Sequence, residues 1–240
     1  MPIALLEQTL TTLDENLALD EALLLAAESG SGGEVLRFWQ WPAKAVVLGA
    51  GGSIAIDVNE AVCREDGVPL HRRASGGGTV LLGRGCLNYT VVLEYTRAAE
   101  LRDVTASYQW LLGKVRDALR PVATLEHIGI SDLALEGRKV SGNAQQRKSR
   151  ILLHHGTLLY AFDASTVGRY LNPPERAPTY RAGRDHASFV TNLPADAATL
   201  KRLIVAEFAA QPSELSDAVM DRVPALIEER YAKQEWVRRR

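Results

Sequence analysis

Cysteine is nearly absent from the 240-residue chain: Cys63 and Cys86 are the only two, with no second pair to complete a zinc set. A disulfide scaffold is thereby excluded, and a reduced, cytoplasmic setting is the expectation. Long hydrophobic runs are lacking too. The longest, Ala22 to Ala27, falls far short of the roughly 18 residues that span a bilayer, and no basic segment leads into an apolar stretch at the start. Neither a membrane partner nor a secretion signal is expected. Charge of one sign is not in excess either. With 28 basic and 29 acidic residues the formal net charge is −1, which offers no footprint for general nucleic-acid binding. Internal repeats and low-complexity segments are also missing. What is present, 46% hydrophobic and 24% charged residues, is the composition of a folded chain with one sizeable core.

Periodicity places the elements. Leu19, Ala22, Leu23 and Ala26 form an apolar stripe that predicts a helix over 16–29, ended by Gly30-Ser31-Gly32-Gly33. Strand-like runs follow at 35–41, 45–48, 68–73, 79–82 and 87–95, with a short helix at 58–65. Tyr108, Leu111, Leu112, Val115 and Leu119 mark the clearest helix, 105–120. Two more strands are expected at 133–140 and 151–162, joined by a polar, basic connection, with a tight turn at Glu136-Gly137. Beyond the irregular loop of Pro173, Pro174 and Pro178, only helical signal remains, at 197–210 and 215–236. Central strands, hairpin-like links and helices at both ends predict an α+β fold rather than a doubly wound sheet. The terminal Arg238-Arg239-Arg240 reads as a solvated end.

Among the glycine-rich stretches, Gly49-Ala50-Gly51-Gly52 follows a strand, but Ile54 holds the third position of a dinucleotide fingerprint and no P-loop occurs. The stretch from Arg72 to Val80 is more informative. Gly76, Gly77 and Gly78 remove three successive side chains, so backbone N–H groups can approach a ligand oxygen in a concavity that favours anions. Arg73 would add a bidentate donor for phosphate or carboxylate. From spacing alone a flexible hairpin flanked by surface arginines fits equally well. A second block, Lys139-Val140-Ser141-Gly142-Asn143-Ala144, sets a lysine among small residues near a strand end. In the next strand His154 and His155 alternate to opposite faces, so they make no chelating pair; one packs and the other faces the site.

Taken together the three blocks, R-R-x-S-G-G-G-T-V at 72–80, K-V-S-G-N-A at 139–144 and H-H-G-T-L-L at 154–159, resemble the lipoate–protein ligase family of the biotin/lipoate protein ligase superfamily. Asn16 to Glu21, and Tyr180-Arg181 with Gly183-Arg184, are weaker echoes. The resemblance implies a mixed, largely antiparallel sheet flanked by helices, as in class II aminoacyl-tRNA synthetases. It implies a catalytic domain over 1–194 and a short helical segment over 195–240. It also implies a two-step reaction, in which lipoate and ATP give lipoyl-adenylate, and the acyl group then passes to a lysine of a lipoyl domain. That acceptor would belong to a 2-oxoacid dehydrogenase or a glycine cleavage H-type protein.

The chemistry of such a reaction asks for fixed cations, because a carboxylate and a phosphate must be brought together before a good leaving group is made. By the resemblance Lys139 is the catalytic residue, with an electrostatic role. Arg73, Gly76, Gly77 and Gly78 would hold phosphate and the acyl carboxyl end, and Ser75 would order the loop, since no general base is identifiable near it in the sequence. Asn88, Asn143, Ala144 and Gly156 would face the ligands, and Asp132 with Asn143 would approach Mg²⁺. Leu17, Leu19, Trp39 and His155 match the acyl pocket, with plain core packing an equal alternative for the leucines and Trp39.

Two departures stand out. Gly85-Cys86 replaces the Gly-Asn pair common in the family, although Asn88 is close by, and a full accessory domain is replaced by about 45 residues. A separate small accessory subunit is therefore an open alternative. So is a cysteine-dependent octanoyl or lipoyl transferase fed by acyl carrier protein, whose chemistry needs a thiolate. No cysteine lies between Glu94 and Lys139, where one such group carries it, and Cys63 and Cys86 read as buried fillers.

Overall fold

Thr12 caps the first long helix through a reciprocal pair with Glu15, so the chain turns sharply from strand β1 (Ala4–Glu7) into helix α1 (Leu13–Ser29). β1 is a strand that the periodicity does not single out. In the computed structural model, which describes residues 2–175 and 177–240, there follow β2 (Val35–Gln40), β3 (Ala45–Leu48), the short α2 (Ile54–Asp57) and α3 (Glu60–Glu65), β4 (Leu70–Arg72), β5 (Val80–Leu82) and β6 (Cys86–Glu94). Next come α4 (Val104–Ala118), β7 (Glu126–Ile128), β8 (Asp132–Leu135), β9 (Arg138–Arg147) and β10 (Ile151–Leu159). The chain closes with α5 (Val167–Tyr170), α6 (His186–Phe189), α7 (Ala197–Phe208), β11 (Gln211–Pro212), α8 (Asp217–Met220), α9 (Arg222–Leu226), a π turn over Ile227–Tyr231 and α10 (Gln234–Val237).

Eight strands form one sheet in the order β11-β1-β2-β6-β10-β9-β8-β7, antiparallel except where β1 pairs with β2 and β11. Three more, β4-β3-β5, form a small sheet beside it. This is the mixed, largely antiparallel α+β architecture expected. Strand alternation sorts the two cores. On β6, Leu87, Tyr89, Val91 and Leu93 pack under α4 and α7, while Cys86 and Val92 join the core under α1, the small sheet and the C-terminal helices. The same alternation turns Asn88 and Thr90 toward the α1 side, where the candidate site lies.

Two expectations need correction. The run 133–140 is a hairpin, β8 and β9 joined at Glu136-Gly137, and the "polar connection" continues as strand to Arg147. Its half-exposed polar residues pair with β10 on one side, a pattern that reads as loop by hydropathy alone. The long helix expected over 215–236 is broken into short pieces, with Pro224 removing one backbone donor. Arg238–Arg240 is exposed, as expected of a charge run, yet tied to the fold at two points: Ile54 N donates to Arg240 O at 3.1 Å, and Arg238 pairs with Glu60 at 2.7 Å. Among the described residues no helix is long and apolar enough to cross a membrane.

Candidate active site

The three-glycine bend is shaped from behind. Arg73 is buried, and its Nη2 donates to Gly76 O at 2.7 Å and Gly78 O at 2.8 Å, while Nη1 reaches Val47 O and Nε reaches Ser75 Oγ. In a trans peptide the carbonyl and the following N–H point opposite ways, so anchoring those carbonyls turns the N–H groups of Gly77 and Thr79 away from the guanidinium. Among the described residues the N–H groups of Gly76, Gly77 and Gly78 have no protein acceptor. Gly49 permits the close fit. A Cβ there would sit 2.1 Å from Gly77 O, and Ala50 N donates to Ser75 O across the same contact. Arg73 has no carboxylate partner among the described residues, and burial pulls its guanidinium down to about 10, still charged at neutral pH. A buried cation behind a row of unspent donors is an arrangement chemically suited to an anion. Arg73 lines the smaller cavity, and its guanidinium also ties the bend together from behind.

Lys139 enters from the start of β9, where its Nζ lies 2.7 Å from Asp132 Oδ1. Tyr180 donates to the other carboxylate oxygen, Asp132 Oδ2, at 2.8 Å. Burial, then the facing Asp132, push the Tyr180 phenol well above its ordinary value, so it remains a donor. Gly142 makes room for the lysine: a Cβ at that position would fall 2.7 Å from both Lys139 Cε and Nζ.

Two cavities meet at this lysine. The smaller, about 170 Å³, runs toward Leu17, Trp39 and Leu82. The larger, about 850 Å³, opens toward Phe162, Tyr180 and Phe189. Gly78, Thr79, Asp132 and Lys139 line both. Thr79 is held by its hydroxyl on Asp57 at 2.8 Å.

A polar chain crosses the floor of the smaller cavity. Ser75 Oγ lies 2.6 Å from His155 Nε2, and His155 Nδ1 lies 3.4 Å from Asp20 Oδ2. A carboxylate only accepts, so in the neutral ring Nδ1 carries the proton and Nε2 accepts from the Ser75 hydroxyl. This corrects the expectation that Ser75 has no base beside it; those residues are 80 and 135 positions apart and no local signal joins them. Asp20 is anchored in turn by Arg37 at 2.6 Å and Thr90 at 2.8 Å. Burial alone would raise the Asp20 carboxyl, but Arg37, then His155 and Thr90, hold it below its ordinary value.

Of the other expected residues, Leu17, Trp39, Asn88, Ala144, His155 and Gly156 line the smaller cavity. Leu19 does not. Two positions from Leu17 on α1 it faces the opposite side and is wholly buried in the core. His154 also points away, packed against Tyr89 and Tyr108, and burial drives its imidazole down to about 3. Asn143 lines the cavity with its polar atoms already engaged: Nδ2 donates to Ser131 O and Ser141 Oγ, and Oδ1 accepts from Tyr89. Asp132 is engaged by Lys139 and Tyr180, and among the described residues no three His, Cys, Asp or Glu side chains converge on a metal site. Both cysteines are buried away from the two cavities; burial pushes the Cys86 thiol up to about 12 and raises Cys63 as well.

A sequence profile of the lipoyl protein ligase A/B catalytic domain matches residues 12–211. Over 158 residues the chain is 32% identical to the "probable lipoate-protein ligase A" of Mycoplasma pneumoniae, a stretch that is 65% of this chain and 45% of that protein. The chain thus spans under half of that relative. It is 25% identical over 257 residues to the octanoyltransferase LipM of Lysinibacillus sphaericus, covering 92% of this chain and 93% of the other. Among solved structures, a bipartite lipoate protein ligase of Thermoplasma acidophilum, studied with its E2 lipoyl domain, superposes with a TM-score of 0.86 at 20% identity over 99% of this chain and 96% of that one. A lipoate-protein ligase A bound with ATP gives 0.84 at 20% identity, over 99% of each chain. At those identities the likeness is one of fold.

Proposed function

The chain belongs to the lipoyl protein ligase A/B catalytic domain family, and from that premise we propose that it is an ATP-dependent lipoate–protein ligase. It joins lipoate to AMP, releases pyrophosphate, and passes the acyl group to a lysine of a lipoyl domain. One observation carries this reading: Lys139 and the donor-rich bend stand where an apolar slot opens into a larger chamber.

The slot suits an acyl tail, and its carboxylate end then meets the ammonium of Lys139. The larger chamber has room for the nucleotide, whose phosphates find the N–H groups of the bend backed by Arg73. Here a carboxylate oxygen attacks the α-phosphorus, a new P–O bond forms, and the bond to pyrophosphate breaks. Both reactants are anions, so the positive surroundings lower the barrier most where negative charge accumulates. Asp132 and Tyr180 hold Lys139 at the junction until that charge arrives. In the second step the acceptor amine attacks the acyl carbon and AMP departs. Removing a donor of this kind costs about 2.7–4 kcal/mol of transition-state stabilisation.

The full-length likeness to LipM octanoyltransferases supports a second reading, transfer of an octanoyl or lipoyl group from acyl carrier protein through a cysteine thiolate. The buried, protonated thiols of Cys63 and Cys86 oppose it. The test uses two mixtures. In the first, purified protein, a lipoyl domain, lipoate, ATP and Mg²⁺ should give the lipoylated mass, lost with Lys139→Ala. In the second, octanoyl carrier protein replaces lipoate and ATP; product in this mixture alone would refute the ligase. Lipoyl-adenylate made by the chain unaided would show that no accessory subunit is required.

A further inference from the structure

Arg72 ends β4 and Arg73 follows it, and the two side chains make separate sets of contacts. Arg72 is wholly buried and has no carboxylate partner among the described residues. Its Nε and Nη2 both donate to the carbonyl of Val237 in α10, at 3.0 and 2.7 Å. Its Nη1 donates to Gly49 O at 2.8 Å and Gly52 O at 2.7 Å. The contact is returned, since Trp236 Nε1 donates to Arg72 O at 3.0 Å. The Trp236 ring is stacked by the guanidinium groups of Arg230 and Arg239, at 4.9 and 4.5 Å. Ile54 N donating to Arg240 O closes the same region.

The turn that Arg72 grips is the back wall of the bend: Ala50 N holds Ser75 O at 2.8 Å, and Gly49 leaves no space between itself and Gly77 O. A continuous line of contacts thus runs from the Val237 carbonyl through the Arg72 guanidinium and a glycine turn to the three-glycine bend. From this geometry we infer that the segment Gln234–Arg240 is an internal brace that sets the position of the three-glycine bend, with Arg72 as a positioning residue acting through the Gly49–Gly52 turn. A buried guanidinium must keep its acceptors. Once the Val237 carbonyl is withdrawn, Arg72 turns to water, and the turn and the bend lose their common anchor.

The functional consequence rests on the ligase reading, but the structural claim does not. Two variants test it, the chain truncated after Lys233 and Trp236→Phe, the latter keeping a ring while removing the indole donor. In both, amide hydrogen exchange at Ala50, whose N–H holds Ser75 O, and at Gly52, whose N–H holds Gly49 O, should quicken by about tenfold or more, while the β9 and β10 amides keep wild-type protection. Lipoate-dependent ATP–pyrophosphate exchange should fall in kcat by about tenfold, with the KM for lipoate within about threefold, because Leu17 and Trp39 lie off the brace. Wild-type exchange at Ala50 and Gly52 in a folded Trp236→Phe protein would overturn the brace. So would a uniform rise in exchange across both sheets, which would mark a general loss of stability. Quickened exchange at Ala50 and Gly52 in a chain whose wild type makes no adenylate would leave the brace standing and remove the ligase reading.

Discussion

Gly142→Ala isolates the position of one ammonium group from the stability of the fold. The added methyl would sit 2.7 Å from Lys139 Cε and Nζ, where unstrained contacts need about 3.5–4.0 Å, so the lysine tip must retreat by about 1 Å. The backbone accepts the change, since Gly142 is not among the residues with positive φ. The yielding atoms are the end of a flexible side chain, and a strand glycine replaced by alanine gains about 0.4–1 kcal/mol from a less free unfolded chain. The melting temperature should therefore stay level or rise slightly. A misplacement of about 1 Å at a positioned group costs about 100-fold in rate, or about 2.7 kcal/mol of barrier. Lipoate-dependent ATP–pyrophosphate exchange and the mass of the lipoylated acceptor would be measured beside thermal denaturation. Gly113→Ala in α4, where an added Cβ meets nothing within 4 Å, is the control and should keep the wild-type rate. A Gly142→Ala enzyme that turns over at full speed would refute the claim that Lys139 works from the junction. A large fall in melting temperature would refute the claim that the lysine absorbs the strain.

Three further outcomes are expected. Cys86→Ser and Cys63→Ser should both retain ligation, and iodoacetamide at pH 8 should label neither thiol until the chain unfolds, as mass spectrometry would show, because both thiols are raised by burial. Arg37→Met should strip the buried Asp20 of its main partner and cost about 3–5 kcal/mol, seen as a fall of about 10 °C in melting temperature. His154, driven down to about 3 by burial, takes a proton only in the unfolded chain between pH 6.5 and that value. Its contribution is therefore whole above pH 6.5 and lost as the pH falls, at up to about 1.4 kcal/mol per unit; denaturant titrations of His154→Gln should show that slope removed.

The parts of the site legible in sequence are those built from neighbours. Lys139 and Gly142 belong to one strand, Gly76–Gly78 to one bend, and alternation along β10 separates His154 from His155 without any tertiary knowledge. Where partners come from afar, local patterns fail. Leu17 and Leu19 look alike as apolar helix residues, yet which of them faces a cavity depends on the rotation of α1 against the sheet. The second half of β9 reads as loop because its polar residues within 143–147 pair with β10 on one side and stay mostly half-exposed, which hydropathy does not register as strand.

By itself the sequence determined the α+β class, the side-chain-free bend, the lone lysine block and the scarcity of cysteine, since each follows from composition or from local spacings. Only the tertiary structure decided what Arg72 and Arg73 do. One shapes the bend from within and the other ties it to Val237, 165 positions away. A guanidinium is the same donor wherever it is written in the chain; burial and the carbonyls that happen to surround it choose between ligand contact and scaffold, and those are properties of packing.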